Sequence, residues 1–410
     1  MVGVTASGAT GGNKRLLVLG AGPAQLGLLR AARERDVFVI ACDRDPQALG
    51  FEYADRRAIV SAEDEAAITA LGKAEVADGI IAPGIDWPVA IAARVAERIG
   101  IRHPLPSDVA ALCVSKLRQR GRLDEHQVPQ PSWSLTTTAS EDLPVPCVVK
   151  PPDRQGQKGL TLVRERADLA EAIAFAVSES RSDVALVEEL VEGPEVTVNA
   201  FSVGGELVPL TVTDRHTADP PAFGVALAHA WPSDVPHWED AVGVVRAAAA
   251  ALGITDGPTY TQVRFGPDGP KVIEMAARLG GGHDAELCQV ALGYDLNGLA
   301  LTAALGEEPQ VTPDATEETP GGACVRFLVP PEGLLATVSG IDEAGQVDGV
   351  VEARVYRRPG HQFGRFERGA DRAGFVLAKG DSKADALARA DRAAALIRFE
   401  MADVEARVEA

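Results

Sequence analysis

The stretch VVKPPDRQGQKGLTLV, residues 148–163, carries a loop rich in glycine and lysine between two apolar, strand-like segments. A Walker loop instead leads into a helix whose amino end meets the phosphates. Gly156 and Gly159 therefore predict a hairpin lid whose backbone N–H groups can fold over a triphosphate. Lys150 on the incoming strand would be a fixed cation, and Lys158 on the loop a mobile one. An ordinary exposed hairpin is the alternative interpretation.

A second pattern, EELVEGPEVTV at residues 188–198, places three acidic residues just before a Gly-Pro strand break. Exposed backbone at Leu190 and Val191 could pair with the edge of an adenine ring. Glu188 could accept a hydrogen bond from the adenine amino group, and Glu195 could accept from ribose hydroxyls. A solvated acidic turn is the competing interpretation.

A third pattern is KVIEMAARLGGG, residues 271–282. Alternation along a strand puts Glu274 and Arg278 on one face. If the preceding hairpin has a three-residue loop and a bulge, Gln262 lies opposite Glu274, whereas a four-residue loop would put Thr261 there. A carboxylate and an amide oxygen side by side form a platform for Mg²⁺. Arg278 could then meet a planar charged group beside the metal.

Together these patterns resemble those of the ATP-grasp carboxylate–amine ligases. The shared features, in the same order, are a lysine before the small domain (Lys116), VVKP with its glycine hairpin, EE-x-x-x-GPE and E-x-x-x-R-x-GG. The tail GFVLAKGDSKADALARA, residues 374–390, is similar to the C-terminal subdomain of L-amino acid ligases, which are the nearest match within the superfamily.

The resemblance implies an ATP-grasp fold in a multidomain protein of α/β and α+β class, with an N-terminal Rossmann-like domain. The expected segments are a flexible leader (1–13), the Rossmann-like pre-ATP-grasp domain (14–114), a small ATP-grasp lid domain (115–188), a large ATP-grasp domain with the metal and ATP site (189–310), and a C-terminal α+β subdomain packed on the large domain (311–410).

The resemblance also assigns roles to residues. Arg278 would stabilise the acyl phosphate and the tetrahedral intermediate, and Glu274 would hold Mg²⁺, with Mn²⁺ as a second candidate ion. Gln262 and Ala276 replace an acidic residue and an asparagine that are usual in the family, so the number of metal ions stays open. The implied ATP contacts are Lys116, Lys150, Gly156, Gln157, Lys158, Gly159, Glu188, Glu189, Leu190, Val191 and Glu195.

The segment 213–234, TDRHTADPPAFGVALAHAWPSD, lies where such ligases carry a substrate-facing loop with a histidine before Pro-Ser. His229 fits that place, and a neutral imidazole could take the proton from an attacking amine. His216 and His283 are rivals, and a histidine with only a structural role is the ordinary alternative. Residues 280–282 are glycines, which suggests a roomy acceptor pocket.

The predicted reaction is attack of a carboxylate on the γ-phosphate of ATP, followed by displacement of phosphate from the acyl phosphate by an amine. One alternative keeps the fold but activates formate or bicarbonate, as purine-biosynthesis enzymes do. A second alternative is a nucleotide-binding protein without turnover, for which Gln262 and Ala276 would be signs of decay. The identities of the carboxylate and amine cannot be predicted from these residues.

The N-terminal turn GAGPAQLG invites comparison with a dinucleotide-binding fingerprint, but Gln25 stands where its third glycine would fall. Asp43 at the end of the next strand could mimic the ribose-binding acid. A tight strand-to-helix turn within a small parallel α/β domain is the favoured interpretation.

Charge and composition narrow the partners. The net charge of −19 over 410 residues, with no basic patch, argues against nucleic acid. Five widely spaced cysteines without CxxC predict reduced thiols. No signal peptide and no run of roughly 20 apolar residues is found, so a membrane location is not expected. These features predict a cytoplasmic protein with small-molecule partners, and the resemblance implies a homodimer.

Overall fold

The computed structural model describes residues 13–314 and 319–402. The predicted leader therefore lies outside the described residues, except for Asn13. The strands are β1 Arg15–Leu19, β2 Phe38–Asp43, β3 Arg56–Ile59, β4 Gly79–Ile81, β5 Trp133–Thr136, β6 Cys147–Lys150, β7 Thr161–Val163, β8 Ala185–Glu189, β9 Glu195–Val203, β10 Glu206–Thr217, β11 Ala226–Trp231, β12 Gly257–Gly266, β13 Gly269–Ala276, β14 Gly322–Leu328, β15 Gly333–Ser339, β16 Val350–Val355, β17 Gln362–Phe363, β18 Gly374–Gly380 and β19 Arg398–Met401.

Eleven α-helices lie between the strands of the described chain. They are α1 Leu26–Glu34, α2 Glu65–Ala74, α3 Trp87–Ile99, α4 Ser107–Cys113, α5 Lys116–Glu125, α6 Leu169–Glu179, α7 Glu239–Leu252, α8 Asp284–Leu292, α9 Leu296–Ala304, α10 Ile341–Gly345 and α11 Lys383–Leu396. In the part of the chain that is described, no helix is long and apolar enough to cross a membrane.

The N-terminal sheet has the order β3-β2-β1-β4 and all of its strand pairs are parallel. Gln25 is buried in the turn after β1, where it accepts from Gly22 N–H at 2.9 Å and donates to the Pro83 carbonyl at 2.7 Å. Asp43 accepts from Ala21 N–H at 2.9 Å. Both side chains thus hold the turn together, which supports the tight-turn interpretation over a dinucleotide site.

The predicted lid forms a separate antiparallel sheet, in the order β5-β8-β6-β7. Helix α6 packs on this sheet through buried Leu169, Ile173 and Ala176. The glycine-rich loop joins β6 to β7, as the sequence predicted. Strand β8 pairs within the lid, and β9 begins the large sheet.

The large sheet has eight strands in the order β13-β12-β9-β10-β11-β14-β18-β16. Helix α7 covers one face, and α8 and α9 lie on the other face between this sheet and the N-terminal domain. Strands from both sides of residue 311 belong to this sheet, so the C-terminal segment extends the large domain by continuous hydrogen bonding. The predicted domain boundaries themselves remain predictions.

The sequence DSKADALARADRAAALIRFEMADVEA, residues 381–406, predicts one final helix, of which residues 403–406 lie outside the described residues. Helix α11 ends at Leu396, and β19 then pairs antiparallel with β15. Phe399 and Met401 on β19 pack against the buried side chains of Leu335 and Phe363. Alternating apolar residues in this short segment favour the strand because they can bury one face there.

Candidate active site

The lid and the large sheet meet at a buried group of charges around Glu188, at the end of β8. Lys150 Nζ lies 2.6 Å from one carboxylate oxygen, and Arg120 Nε donates to the other at 2.7 Å. Burial alone would raise the pKa of Glu188, but Arg120 and Lys150 lower it to about 2. Glu188 is therefore ionised and holds Lys150 in place, a contact different from the predicted hydrogen bond to adenine.

Three cations surround Glu274 on β13. Lys116 Nζ lies 3.4 Å from Glu274 Oε1 and donates to the Arg154 carbonyl of the lid loop at 2.9 Å. Desolvation alone would raise the pKa of Glu274, whereas Lys116, Lys150 and Arg278 lower it. The structure thus brings together the predicted metal carboxylate and three predicted cations from different parts of the chain.

The register of β12 and β13 places Gln262 directly opposite Glu274, as predicted. The hairpin reaches this register in another way, because Gly266 pairs with Gly269 across a two-residue turn. The bulge comes later, where Val263 pairs with Val272 and leaves Ile273 as the extra residue.

This pair of oxygen donors suits Mg²⁺ bound together with phosphate. Over the described ranges there is no group of three or more His, Cys, Asp or Glu side chains that could hold a metal ion. Mg²⁺ commonly takes one or two carboxylates from the protein and fills its octahedron with phosphate and water oxygens. Glu274, with Gln262 beside it, fits that arrangement.

Arg278, two residues after β13, contacts the N-terminal domain. Its Nε donates to Asp86 Oδ1 at 2.7 Å, and its guanidinium lies 5.5 Å from the ring centre of Tyr260. Burial alone would lower the pKa of Arg278, but Asp86 and Glu274 raise it. Sequence analysis missed Asp86, which stands at the start of α3 in the segment GIDWP.

Three residues of the lid loop have a left-handed backbone conformation. Gly156, Gln157 and Gly159 have φ values of 66°, 63° and 73°. A Cβ at Gly159 would lie 2.7 Å from Pro151 Cγ, so only glycine fits there. Lys158 pairs with Glu179 on α6 at 2.9 Å, and this lysine is 47% exposed. Because an exposed ion pair contributes little free energy, the Lys158 side chain can leave Glu179 easily.

The hinge residues lie together at the end of β8, but several are already paired. Glu189 contacts Lys271 and accepts from Ser132 at 2.9 Å. Leu190 N–H donates to the Pro146 carbonyl at 3.1 Å, and the Val191 carbonyl accepts from Arg264 at 3.2 Å. An adenine edge would therefore have to use the remaining backbone groups of these residues.

Glu195, predicted to bind ribose, lies beneath the hinge and is buried. It accepts from Arg264 Nε at 2.9 Å and from Arg215 at 3.1 Å. A ribose contact would have to compete with these two ion pairs. Arg215 was not singled out by sequence analysis, since nothing in the segment TDRHT distinguishes it from a surface arginine.

A cluster of buried polar side chains lies on the same face of the large sheet, next to Arg215. His229 lies opposite Arg215 in the β10–β11 register, and its Nδ1 is 3.8 Å from Asp284 Oδ1. Both residues are almost fully buried, and among the described residues neither of these two atoms has a hydrogen-bond partner. Burial lowers the pKa of His229 to about 4, so the imidazole is neutral at pH 7.

The rival histidines occupy other positions. His216 is exposed on β10. His283 hydrogen-bonds to the Tyr356 hydroxyl and stacks on Phe375 with ring centres 3.6 Å apart. Of the three histidines, His229 is thus the one that lies beside Asp284 and Arg215 on the large sheet.

Arg372, from the loop before β18, lies next to this buried polar cluster. Its guanidinium lies 3.8 Å from the ring centre of Phe327, and Nε donates to the Gly369 carbonyl at 2.8 Å. Burial lowers the pKa of Arg372, and within 4.0 Å no carboxylate of the described residues pairs with it. A half-buried cation without an acidic partner is a candidate for binding an anion.

The glycines at 280–282 were predicted to leave room for a substrate, but they allow close packing of the chain instead. A Cβ at Gly280 would lie 2.1 Å from Asp284 Oδ2, and one at Gly281 would lie 2.8 Å from the Gly84 carbonyl. The tract is therefore glycine because the chain is closely packed there, and it leaves little spare room. At Gly282 a Cβ would meet His229 Nε2 at 3.1 Å.

Comparison with known proteins identifies the family. The model of the ATP-grasp domain matches residues 143–286, which contain the lid, the hinge and Glu274. This part of the chain is therefore an ATP-grasp domain, the domain type of the carboxylate–amine ligases to which the chain is similar. A second family model, the L-amino acid ligase C-terminal domain 2, matches residues 326–402 of this ATP-grasp protein.

Relatives with known sequences or structures are similar over most of the chain. The uncharacterized protein y4rH of Sinorhizobium fredii is 31% identical over 72% of this chain, which spans 62% of that protein. A formate-dependent phosphoribosylglycinamide formyltransferase of Burkholderia lata is 26% identical over 94% of this chain and 95% of its own. The crystal structure of an L-amino acid ligase from Bacillus licheniformis superposes with a TM-score of 0.80 at 21% identity, covering 96% of this chain and all of that one.

These similarities confirm the predicted superfamily, the ATP-grasp fold and the ligase class. ATP-grasp enzymes use ATP with Mg²⁺. The roles of individual residues remain predictions. The residues that sequence analysis missed (Asp86, Arg120, Arg215, Asp284 and Arg372) contact the site through tertiary packing and belong to none of the three motifs.

Proposed function

We propose that this ATP-grasp protein phosphorylates a carboxylate with ATP and then joins the acyl group to an amine, releasing ADP and phosphate. The observation that carries this proposal is the convergence of Lys116, Lys150 and Arg278 on the single carboxylate of Glu274. Lys150 and Arg278 also pair with Glu188 and Asp86, so both cations are fixed in position near Glu274, where they could meet the phosphates of a nucleotide bound with a divalent ion.

In this mechanism Lys116 and Lys150 neutralise phosphate oxygens, and Glu188 keeps Lys150 ionised and aligned. Arg278 holds the oxygens of the acyl phosphate and of the tetrahedral intermediate that the amine forms. Mg²⁺, held by Glu274 with Gln262 beside it, would offset phosphate charge; Mn²⁺ is a second candidate. The loop 153–159 closes over the phosphates and excludes water, which would otherwise hydrolyse the acyl phosphate.

The buried polar cluster around Arg215 and Arg372 supports an amine substrate that carries its own anionic group, such as the carboxylate of an amino acid. Arg372 supplies a cation without an acidic partner in the described structure. Neutral His229 accepts the proton of the attacking amine, and the buried Asp284 stabilises the imidazolium that results.

A second candidate function keeps the same site but activates formate. The observation in its favour is the formate-dependent formyltransferase that matches 94% of this chain. A nucleotide-binding protein without turnover is the remaining alternative, for which the replacement of an acidic residue by Gln262 would be the sign.

A phosphate-release screen with ATP and Mg²⁺ tests these proposals. Pairs of amino acids should release phosphate and ADP only when both members are present, and the product should contain a new amide bond by mass spectrometry. Turnover with formate in place of one amino acid would favour the second function. Tight ATP binding without ADP formation in any mixture would favour the third.

Two features of the whole protein are also proposed. All five cysteines are free and buried, which supports a reducing compartment such as the cytoplasm. A homodimer follows from the resemblance to L-amino acid ligases, and light scattering during size-exclusion chromatography will measure the mass in solution.

A further inference from the structure

Arg120 lies between the two halves of the nucleotide site. It stands one helical turn after Lys116 on α5, and only 4% of its side chain is exposed. Its Nε donates to Glu188 at 2.7 Å, and its two terminal nitrogens donate to the carbonyls of Val272 at 3.1 Å and Ile273 at 2.6 Å. Arg120 thus contacts the lid sheet on one side and the metal-bearing strand on the other.

The two carbonyls belong to the bulge that precedes Glu274. In a regular strand consecutive carbonyls point to opposite sides. Because Ile273 is the extra residue of the bulge, the carbonyls of Val272 and Ile273 both point to the outer edge of β13. A guanidinium presents several N–H donors in one plane and can satisfy both carbonyls, which the single ammonium of a lysine does less well.

We propose that Arg120 is a positioning residue that couples the phosphate-binding Lys150 to the metal-binding Glu274. Through Glu188 it fixes Lys150, and through the bulge it keeps Glu274 opposite Gln262. Arg120 contacts neither of these two functional groups itself. This inference rests on the proposed nucleotide site, and it adds a mechanical link between the lid and the metal carboxylate.

Calorimetric titration with ATP, in EDTA and in excess Mg²⁺, tests the link without any knowledge of the substrates. The quantity of interest is the Mg²⁺ enhancement, the ratio of the two ATP affinities. In Arg120→Lys a positive charge remains beside Glu188, but the guanidinium that donates to the carbonyls of both Val272 and Ile273 is lost. The Mg²⁺ enhancement should then fall by about 10-fold or more, with Mg²⁺-free binding changed by less than about threefold.

The matched control is Arg118→Lys, because Arg118 is exposed on the same helix. It should leave both affinities unchanged. If the wild-type protein binds no ATP, the proposed function fails. If the wild-type protein shows the enhancement and a folded Arg120→Lys variant keeps it, the coupling role is overturned while the proposed function stands.

A double-mutant cycle separates positioning from general destabilisation. In a Glu274→Gln background, Arg120→Lys should cause no further loss of Mg²⁺ enhancement, because its effect passes through Glu274. Additive losses would overturn the proposal. Should Arg120→Lys not fold, Gln130→Leu replaces it, since Gln130 accepts from Arg120 at 3.1 Å. Gln130→Leu should also lower the Mg²⁺ enhancement, by a smaller factor than Arg120→Lys. An unchanged Mg²⁺ enhancement in Gln130→Leu would reject the coupling.

Discussion

Arg278 and Asp86 are separated by 192 residues in the chain, yet Arg278 Nε donates to Asp86 Oδ1 at 2.7 Å. The pair joins the end of the metal-bearing strand to the start of α3 in the N-terminal domain. Asp86 thereby sets the direction of the guanidinium that we assign to the acyl phosphate. The position of a proposed catalytic group thus depends on a neighbouring domain.

Asp86→Asn should lower kcat by between about 10- and 100-fold, because a small displacement of Arg278 misaligns it with the reacting phosphate. The KM for ATP should change little, since Asp86 lies away from the hinge. Steady-state kinetics with the substrates found in the screen measure both values. The control is Asp108→Asn on the exposed start of α4, and equal kinetics for both variants would contradict the assignment.

Lys150→Ala and Glu274→Ala should each abolish amine-dependent ADP release, because each removes a charge that faces the transferred phosphoryl group. Lys158→Ala should retain part of the activity, since its ammonium is 47% exposed and pairs only at the lid surface. Lys73→Ala, an exposed lysine of α2, is the control. Near-normal turnover of either of the first two variants would disprove the site assignment.

Glu188 should make stability depend on pH in the acid range. Burial opposes its ionisation, but Arg120 and Lys150 lower its pKa from 4.5 to about 2. As pH falls, the carboxylate of Glu188 is protonated in the unfolded state before it is protonated in the folded state. The contribution of ionised Glu188 to the free energy of unfolding is therefore complete above pH 4.5 and is lost as pH falls through 2.

The comparison of wild type with Glu188→Gln measures this contribution. At pH 7 the variant should have a free energy of unfolding lower by roughly 3–5 kcal/mol, because two buried cations lose their partner. Urea titrations should show the difference between the two proteins narrowing as pH falls from about 5 to about 3. A constant difference over that range would argue against the assigned pKa.

His229 should remain a base at a pH where ordinary histidines are protonated. Burial, together with the charges of Arg215 and Arg372, lowers its pKa from 6.5 to about 4 despite the neighbouring carboxylate of Asp284. The ionisation of the free amine slopes the profile of kcat/KM in wild type and in His229→Asn alike, and the imidazole should add no further acid limb above about pH 5. An acid limb near pH 6.5 that disappears in His229→Asn would show that the imidazole is exposed during turnover.

Gly282→Ala should lower kcat for amine transfer by roughly tenfold. A Cβ there would lie 3.1 Å from His229 Nε2 and 3.3 Å from Phe327 Cζ, so it would displace the imidazole that we assign as the base. Steady-state kinetics with the substrates found in the screen measure the effect. Gly243→Ala on α7 is the control, because a Cβ there has no atom within 4 Å. An unchanged kcat in Gly282→Ala would reject the idea.

The motifs in the sequence were sufficient to predict the superfamily, the hairpin lid and the pairing of Gln262 with Glu274. Each of these features depends on residues close together in the chain, or on a strand register that a short hairpin controls. Even there the details were wrong in part, because the bulge at Ile273 rather than the turn sets the register. The tail shows the same limit, since tertiary packing of Phe399 and Met401 overrides a helical pattern.

The ion pairs of the site depended on how the domains pack. Glu188 reads as an adenine ligand in sequence, but Arg120 and Lys150 reach it from separate elements and occupy both of its oxygens. Glu195 is likewise paired with Arg215 and Arg264. A charge in a motif indicates what chemistry is possible, whereas its partner and its pKa depend on which distant groups share its low-dielectric surroundings. Those neighbours exist only after the sheets have packed together.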